Sequence, residues 1–273
     1  MKKKNNIGLL VVCIIFTYTL SAQETLTLAV LKGSALVEKS KTDITNVRRS
    51  EKIILPTNAN VKFSANSSIL IYNKKSKLEL VNATEKNYTH AQILAAFKKV
   101  KPVSLTVSFL NYLDKMYVNA ENSENSFGAS SAAASRGFKE DEPFYFPEDE
   151  TIILEDSFEL ITGNNDVEIV SNILVVNDTT KEVVYNDTIN KNKLVLNNLK
   201  SGHYTWTYKI KFKGSIVTLG NTFIIPTAEL KAIKIKEIFE FKNSLNNCKN
   251  CLSDEAKRVL LDDFLSVNKL YYK

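Results

Sequence analysis

The residues that carry most enzyme chemistry are scarce here. The 273-residue chain has three cysteines and two histidines. Cys13 lies inside an N-terminal apolar run, which leaves Cys248 and Cys251 for the rest of the chain. His90 and His203 stand far from both and from each other in sequence, so no local spacing assembles four zinc ligands. No histidine follows Cys251, which excludes covalent haem attachment through C-x-x-C-H. The G-x-S-x-G, H-E-x-x-H and phosphate-loop patterns are missing. The acidic clusters Glu140-Asp141-Glu142 and Glu148-Asp149-Glu150 lack the fixed spacing of a calcium loop and read as the solvated start of a domain. No Lys/Arg block is interleaved with aromatics, and the lone pair Arg48-Arg49 reads as a solvated turn, so nucleic acid is not an expected partner. The expectation is a protein with no catalytic residues, no metal and no cofactor.

At 44% hydrophobic and 24% charged, the composition is that of a globular protein. The N-terminus departs from it. Lys2, Lys3 and Lys4 precede an apolar run from Ile7 to Leu20, and Ser21-Ala22 are small. This is the three-part form of a secretory signal peptide, residues 1–22. The run is short for a membrane span, and no later segment is apolar enough to span. Val12 is not the small residue that a lipid-attachment box places before its cysteine, so Cys13 reads as part of the signal. Cleavage lowers the formal net charge from +6 to +3, too mild to argue for an anionic surface. The expected location is exported, in the periplasm, on the outer membrane or outside it.

Residues 24–118 read as a small β domain with a helical pair. Leu26, Leu28 and Val30 alternate, Gly33 allows a turn, and Ala35 and Val37 continue. Ile53 to Leu55 stops at Pro56, Val61 alternates with Phe63, and Ile69 and Ile71 pair with Leu78 and Leu80 across a polar turn. The strand spacing predicts a β-roll or barrel. Gly33-x-Ala35-x-Val37, then Val61-x-Phe63 with Asn66-Ser67-Ser68-x-Leu70, resembles the FecR-type β domain of Gram-negative envelope proteins. Asn66 stands where that family has glycine, and the family's membrane span and cytoplasmic tail have no counterpart. Thr89 and Gln92 form a capping box ahead of Ile93, Leu94 and Phe97. A second helix is predicted from about Ser104 to Asn119, with Leu105, Phe109, Tyr112, Leu113 and Met116 on one side. Both helices are expected to cover an open face of the β domain.

Residues 119–142 are small and polar without period, and read as a flexible linker that lets two domains move independently. Residues 143–226 predict a second β domain: Ile152–Leu154, Phe158–Ile161, Val167–Ile169, Ile173–Val176, Val183–Tyr185 and Leu194–Leu196 precede a hairpin. In that hairpin Tyr204, Trp206, Tyr208, Ile210 and Phe212 alternate against Thr205, Thr207, Lys209, Lys211 and Lys213. Lys213-Gly214 reverses the chain, and Val217, Leu219, Phe223 and Ile225 return. The strand count fits an immunoglobulin-like sandwich. Leu199-x-x-Gly202-x-Tyr204-x-Trp206 resembles the fibronectin type III stretch in which the tyrosine anchors a corner. The fold class is therefore mainly β: two small β domains, a β-roll or barrel and then an immunoglobulin-like sandwich, with helical appendages.

Residues 227–273 predict a helical hairpin. Leu230, Ile233, Ile238, Phe241 and Leu245 share a broad face; Ser253 caps a second helix marked by Ala256, Leu260, Phe264, Val267 and Tyr271. It is expected to pack on the sandwich or to bind a partner. Cys248 and Cys251 in its turn read as a structural disulfide of an exported protein. Asp178-Thr179-Thr180 and Asp187-Thr188-Ile189 look like acceptors of envelope O-glycosylation, at Thr179 and Thr188. The expected function is non-enzymatic binding or scaffolding at a bacterial envelope, by protein–protein contact. The rivals are an envelope sensor and a thiol–disulfide oxidoreductase working through Cys248 and Cys251. Mass spectrometry of the exported protein should find an N-terminus at Gln23 or Glu24; a chain that retains Lys2 to Leu20 would contradict the signal-peptide reading.

Overall fold

A computed structural model describes residues 25–102, 105–123, 146–162, 168–188, 193–212, 214–247 and 251–272. It opens with β1 (Leu26–Lys32), β2 (Ser34–Glu38), β3 (Ile44–Arg48), β4 (Glu51–Leu55), β5 (Asn60–Phe63), β6 (Ser67–Tyr72), β7 (Lys77–Asn82) and β8 (Lys86–Thr89). Helices α1 (His90–Lys98) and α2 (Val107–Met116), strand β9 (Val118–Asn119) and the short helix α3 (Ala120–Ser123) complete the first module. Its strands form a five-stranded sheet, β7-β6-β1-β4-β9, and a four-stranded sheet, β3-β2-β5-β8. These are two separate sheets around one core, which corrects the barrel alternative. The chain crosses between them at Gly33, where φ is +80° and an added Cβ would lie 2.7 Å from Ser64 Oγ. Asn66 takes φ +54°, a left-handed conformation that asparagine tolerates, where the FecR pattern has glycine. Ile69 pairs with Leu80 and Ile71 with Leu78, as the alternation predicts.

The five-stranded sheet is buried on both faces. Leu26, Leu28, Val30, Ile69 and Ile71 point into the core shared with the four-stranded sheet. The intervening Ala29, Leu31, Leu70 and Tyr72 point into a second core built with helices. The two helices of the first module divide between these cores. Ile93 and Phe97 of α1 close the inter-sheet core, and Phe109, Leu113 and Met116 of α2 lie on the outer face. The expectation that both cover one open face is thus corrected. The Thr89 capping box forms as predicted: Gln92 N–H donates to Thr89 Oγ1 at 3.3 Å and Thr89 N–H to Gln92 Oε1 at 2.9 Å. Helix α2 stops at Met116, because Tyr117 is extended and leads into β9. Residues 119–123 belong to the first module rather than to a linker, with Ala120 buried in its core.

The second module has β10 (Thr151–Ile153), β11 (Ser157–Ile161), β12 (Glu168–Ile169), β13 (Ile173–Asn177), β14 (Val183–Asp187), β15 (Lys193–Asn197), β16 (Gly202–Phe212) and β17 (Ser215–Ile225). Helices α4 (Ala228–Asn246) and α5 (Asp254–Val267) and strand β18 (Leu270–Tyr271) end the chain. The larger sheet runs β14-β13-β16-β17-β10-β18, with β12 also on β16; the smaller is β11-β15. Their core holds Tyr204, Trp206, Tyr208 and Ile210 from one face of β16, as the period-2 pattern demands. Trp206 stacks on Tyr208 with centroids 5.4 Å apart, and Tyr204 on Phe223 at 5.2 Å. Tyr204 Oη donates to the Lys200 carbonyl at 2.7 Å, tying strand start to preceding loop. Phe212 pairs with Ser215 across Lys213-Gly214, and Gly214 takes φ +83°.

The helical hairpin packs on the first module. Ile238, Phe241 and Leu245 of α4 and Ala256, Leu260 and Phe264 of α5 share the core of Ala29, Leu31, Leu70 and α2. Phe241 stacks on Phe264 at 4.3 Å, and Tyr112 of α2 meets Phe264 edge-on at 4.7 Å. Both ends of the hairpin remain fastened to the sandwich. Helix α4 follows β17 directly, and β18 pairs parallel with β10, Ile152 opposite Leu270. Tyr271 is therefore strand and not helix. Asn268 caps α5, Lys269 turns at φ +50°, and Tyr271 packs against Phe146 at 5.0 Å. Ile233, expected on the apolar face, is exposed. In urea denaturation, Tyr204→Phe should cost about 1 kcal/mol by leaving the Lys200 carbonyl without its donor. Trp206→Ala should cost about 3–5 kcal/mol.

Candidate interaction surfaces

The predicted chemical positions lie apart in this fold. His90 is the first residue of α1 and is buried, with burial lowering its pKa. His203 is exposed on β16. Among the described residues no group of three His, Cys, Asp or Glu side chains is placed to hold a metal ion. Glu140, Asp141 and Glu142 lie outside the described residues. Asp149 and Glu150 of the second acidic cluster serve structure. Asp149 Oδ1 accepts from Thr222 Oγ1 at 2.6 Å and from Thr222 N–H at 3.1 Å, bonds that lower its pKa. Glu150 pairs with Lys269 at 2.9 Å. Together they pin the start of β10 to β17 and to the C-terminal tail.

Thr179 is exposed in the β13–β14 turn, where Asn177 Oδ1 accepts from the backbone of both Thr179 and Thr180. Thr188 is exposed just past β14, with its N–H on Asp187 Oδ1 at 2.7 Å. Cys248 lies outside the described residues. Cys251 is buried, and its sulfur is not a free thiol. Its carbonyl accepts from Glu79 N–H at 2.8 Å, so the Cys-bearing turn sits against the outer edge of β7.

Lys77 and Glu79 project from the same face of β7 and grip the two helix ends of that turn. Lys77 is 0% exposed. Its ammonium donates to the Ser244 carbonyl and, at 2.7 Å, to Asn247 Oδ1, and it lies 5.2 Å from the Phe109 ring centroid. Ser244 belongs to the last turn of α4, where carbonyls lack helical donors and the dipole is negative. Glu79 works on the opposite pole. Its Oε2 accepts from Ser253 N–H at 2.6 Å, and Ser68 Oγ holds its other oxygen at 2.6 Å. Ser253 caps α5, and the residue that could complete a capping box from within the helix is Ala256, which has no acceptor. The first module supplies the missing carboxylate. Sequence reading missed this pair, because a Lys-x-Glu strand reads as a solvated face.

The second surface is the outer edge of β17. β10 pairs with β17 only at Phe223 and Ile224. From Ser215 to Gly220 no described strand pairs with that edge. Thr222 aims its carbonyl at Glu150 N–H and its N–H at Asp149, both away from β16. By strand alternation Gly220, Thr218 and Ile216 aim theirs the same way. Gly220 lets β17 approach β16 closely, since an added Cβ would come within 2.3 Å of the Trp206 carbonyl oxygen. Ile216 is 68% exposed and Val217 37%. A cleft of about 330 Å³ lies elsewhere, where α4 leaves the sandwich. Phe158, Leu196 and Leu199 line it, together with the Asp156–Lys231 ion pair at 2.6 Å.

No family model matches the chain, and no curated protein matches it. Among solved structures it is similar to the extracellular domain of a protein assigned to a hybrid two-component system of B. thetaiotaomicron. That likeness has 16% identity and a TM-score of 0.21 over 72% of this chain and 30% of that one. A likeness at that score supports neither a fold nor a role. No helix among the described residues is long and apolar enough to cross a membrane.

Burial of Lys77 disfavours its charged form, and Lys257 adds repulsion; together they lower its pKa from 10.5 to about 8. Between those two values the unfolded chain keeps a proton that the folded chain has released, so stability rises with pH across that window. The penalty for the buried charge is full below pH 8. In urea melts from pH 7 to 10.5, wild type should gain up to about 3 kcal/mol relative to Lys77→Met. Parallel curves for the two proteins would refute the buried-charge reading.

Proposed function

We propose that this chain is an exported, non-enzymatic binding or scaffold protein of a bacterial envelope, acting by protein–protein contact through its second module. The observation that carries the reading is the outer edge of β17 from Ser215 to Gly220, which no described strand pairs, a row of backbone donors and acceptors of the kind that partner strands use. The basic-apolar-small leader supports export. We read the second module as immunoglobulin-like, of the fibronectin type III kind. Strand order β14-β13-β16-β17 over β11-β15 supports this, as does the Tyr204–Lys200 corner. We read the first module as FecR-like from its Gly33-x-Ala35-x-Val37 and Val61-x-Phe63 pattern, from which Asn66 departs.

Cys248 and Cys251 are assigned to a structural disulfide that fixes the α4–α5 turn against β7. Burial of Cys251 argues against thiol exchange as the function, since a redox-active sulfur must be accessible. Thr179 and Thr188 are exposed enough to carry glycans. Cross-linking capture from the native envelope tests the reading. Folded mature protein should enrich a small set of envelope proteins over heat-unfolded bait, and Cys248→Ala/Cys251→Ala should enrich the same set while losing at most about 2 kcal/mol of stability. Equal enrichment by unfolded bait would overturn the proposal, as would loss of capture in a double variant that still folds.

A further inference from the structure

The edges of the sheets differ in how they are protected. β7 is covered by the turn that bears Cys251, and β10 by β18. The two-residue edge strands β9 and β18 are short, and the longer described edge strands carry charge, both common defences against unwanted strand pairing: Arg48 on β3, Lys86 on β8, Asp187 on β14, Glu159 on β11 and Lys193 on β15. β17 has none. Its eleven residues, Ser215 to Ile225, include no charged side chain and no proline. The stretch from Ser215 to Gly220 is rich in β-branched residues, no described strand pairs with its outer edge, and Ile216 and Val217 are exposed beside it.

The two faces beside this edge have different chemistry. One carries Lys209 opposite Thr218, exposed, and Lys211, opposite Ile216 on one side and Glu168 of β12 on the other; neither β16 nor β17 contains an acidic residue. The other carries Val217 opposite Ile210 and Leu219 opposite Tyr208. The β11–β15 sheet has only two strands and leaves Val217 and Leu219 partly open. An incoming strand lies about 4.8 Å from β17, so its side chains on the lysine face come within reach of Lys209.

Resting on the protein-binding reading above, we propose that the β17 edge accepts an extended segment of another protein by strand addition, and that this segment alternates acidic and apolar residues. The acidic side chains meet the Lys209 face, and the apolar ones cover Val217 and Leu219. The backbone of Ile216, Thr218 and Gly220 supplies the ladder.

The full mature chain is titrated with a capped nine-residue peptide of alternating Glu and Val, and in parallel with its Lys/Val counterpart. Nuclear magnetic resonance should show amide protection gained at Ile216, Thr218 and Gly220 with the Glu/Val peptide only, weakening as salt is raised. Thr218→Pro removes an outward N–H without touching the β16 ladder and should weaken binding at least tenfold with the melting temperature unchanged. Ile216→Glu, which puts a carboxylate on the lysine face, is the second edge variant and should do the same by repelling the acidic side chains. Lys209→Glu should reverse the peptide preference. Binding of neither peptide, or of both equally, overturns the inference. So does a dimer abolished by Thr218→Pro, which would make a second copy the occupant. If envelope capture persists unchanged in Thr218→Pro, the edge is wrong and the binding function stands. If wild type captures nothing, the binding function itself fails.

Discussion

The arrangement of the whole chain depends on one contact: β7 of the first module holding the two helix ends of the α4–α5 turn. A lysine meets the negative pole of one helix and a carboxylate the positive pole of the next, from positions two residues apart on one strand. A buried ammonium is costly unless its hydrogen bonds are made. Lys77 has two oxygen acceptors and an aromatic ring close by. The geometry fixes where along the sheet the hairpin sits. The apolar core beneath it, from Ala29 and Leu70 to Phe241 and Phe264, supplies most of the adhesion but little of the register.

This contact changes what the two modules are to each other. The small, polar composition between them predicts independent motion. The hairpin leaves the sandwich after β17, lies on the first module, and returns its tail to the sandwich as β18. It therefore bridges the modules. Leu154, just past β10, and Leu270 of β18 join the same core as the helices.

Much of the second module was legible in the sequence because its signals are local. Period-2 alternation, the Lys213-Gly214 reversal and the Tyr204 position each follow from a few adjacent residues, and β10 to β17 fall close to where the pattern puts them. The pairing of Ile69 and Ile71 with Leu78 and Leu80 was equally local. The doubly buried sheet was not read, although its signal was present. β1 and β6 are apolar at both parities, and the pattern was followed at one parity only. The docking partner of the hairpin was not legible, because Lys77 and Ser244 are distant in sequence and a strand lysine carries no mark of burial. Tyr271 fits the helical spacing of Phe264 and Val267, and only the left-handed Lys269 between them breaks it. For the interaction surface, the sequence pointed to strand edges in general. Choosing β17 required knowing which edges the chain covers itself.

The position of β18 has a consequence for how the polypeptide matures. Leu270 and Tyr271 are synthesised long after Thr151, yet they complete the sheet to which β10 belongs. Helices α4 and α5, which join α2 in sealing the outer face of β1, are likewise synthesised long after it. Until those residues emerge, the first module exposes Ala29, Leu31 and Leu70 as an apolar surface, and the sandwich exposes an extra edge. Assembly therefore waits on these later residues, and until they emerge the nascent protein exposes apolar surface suited to escort by a chaperone.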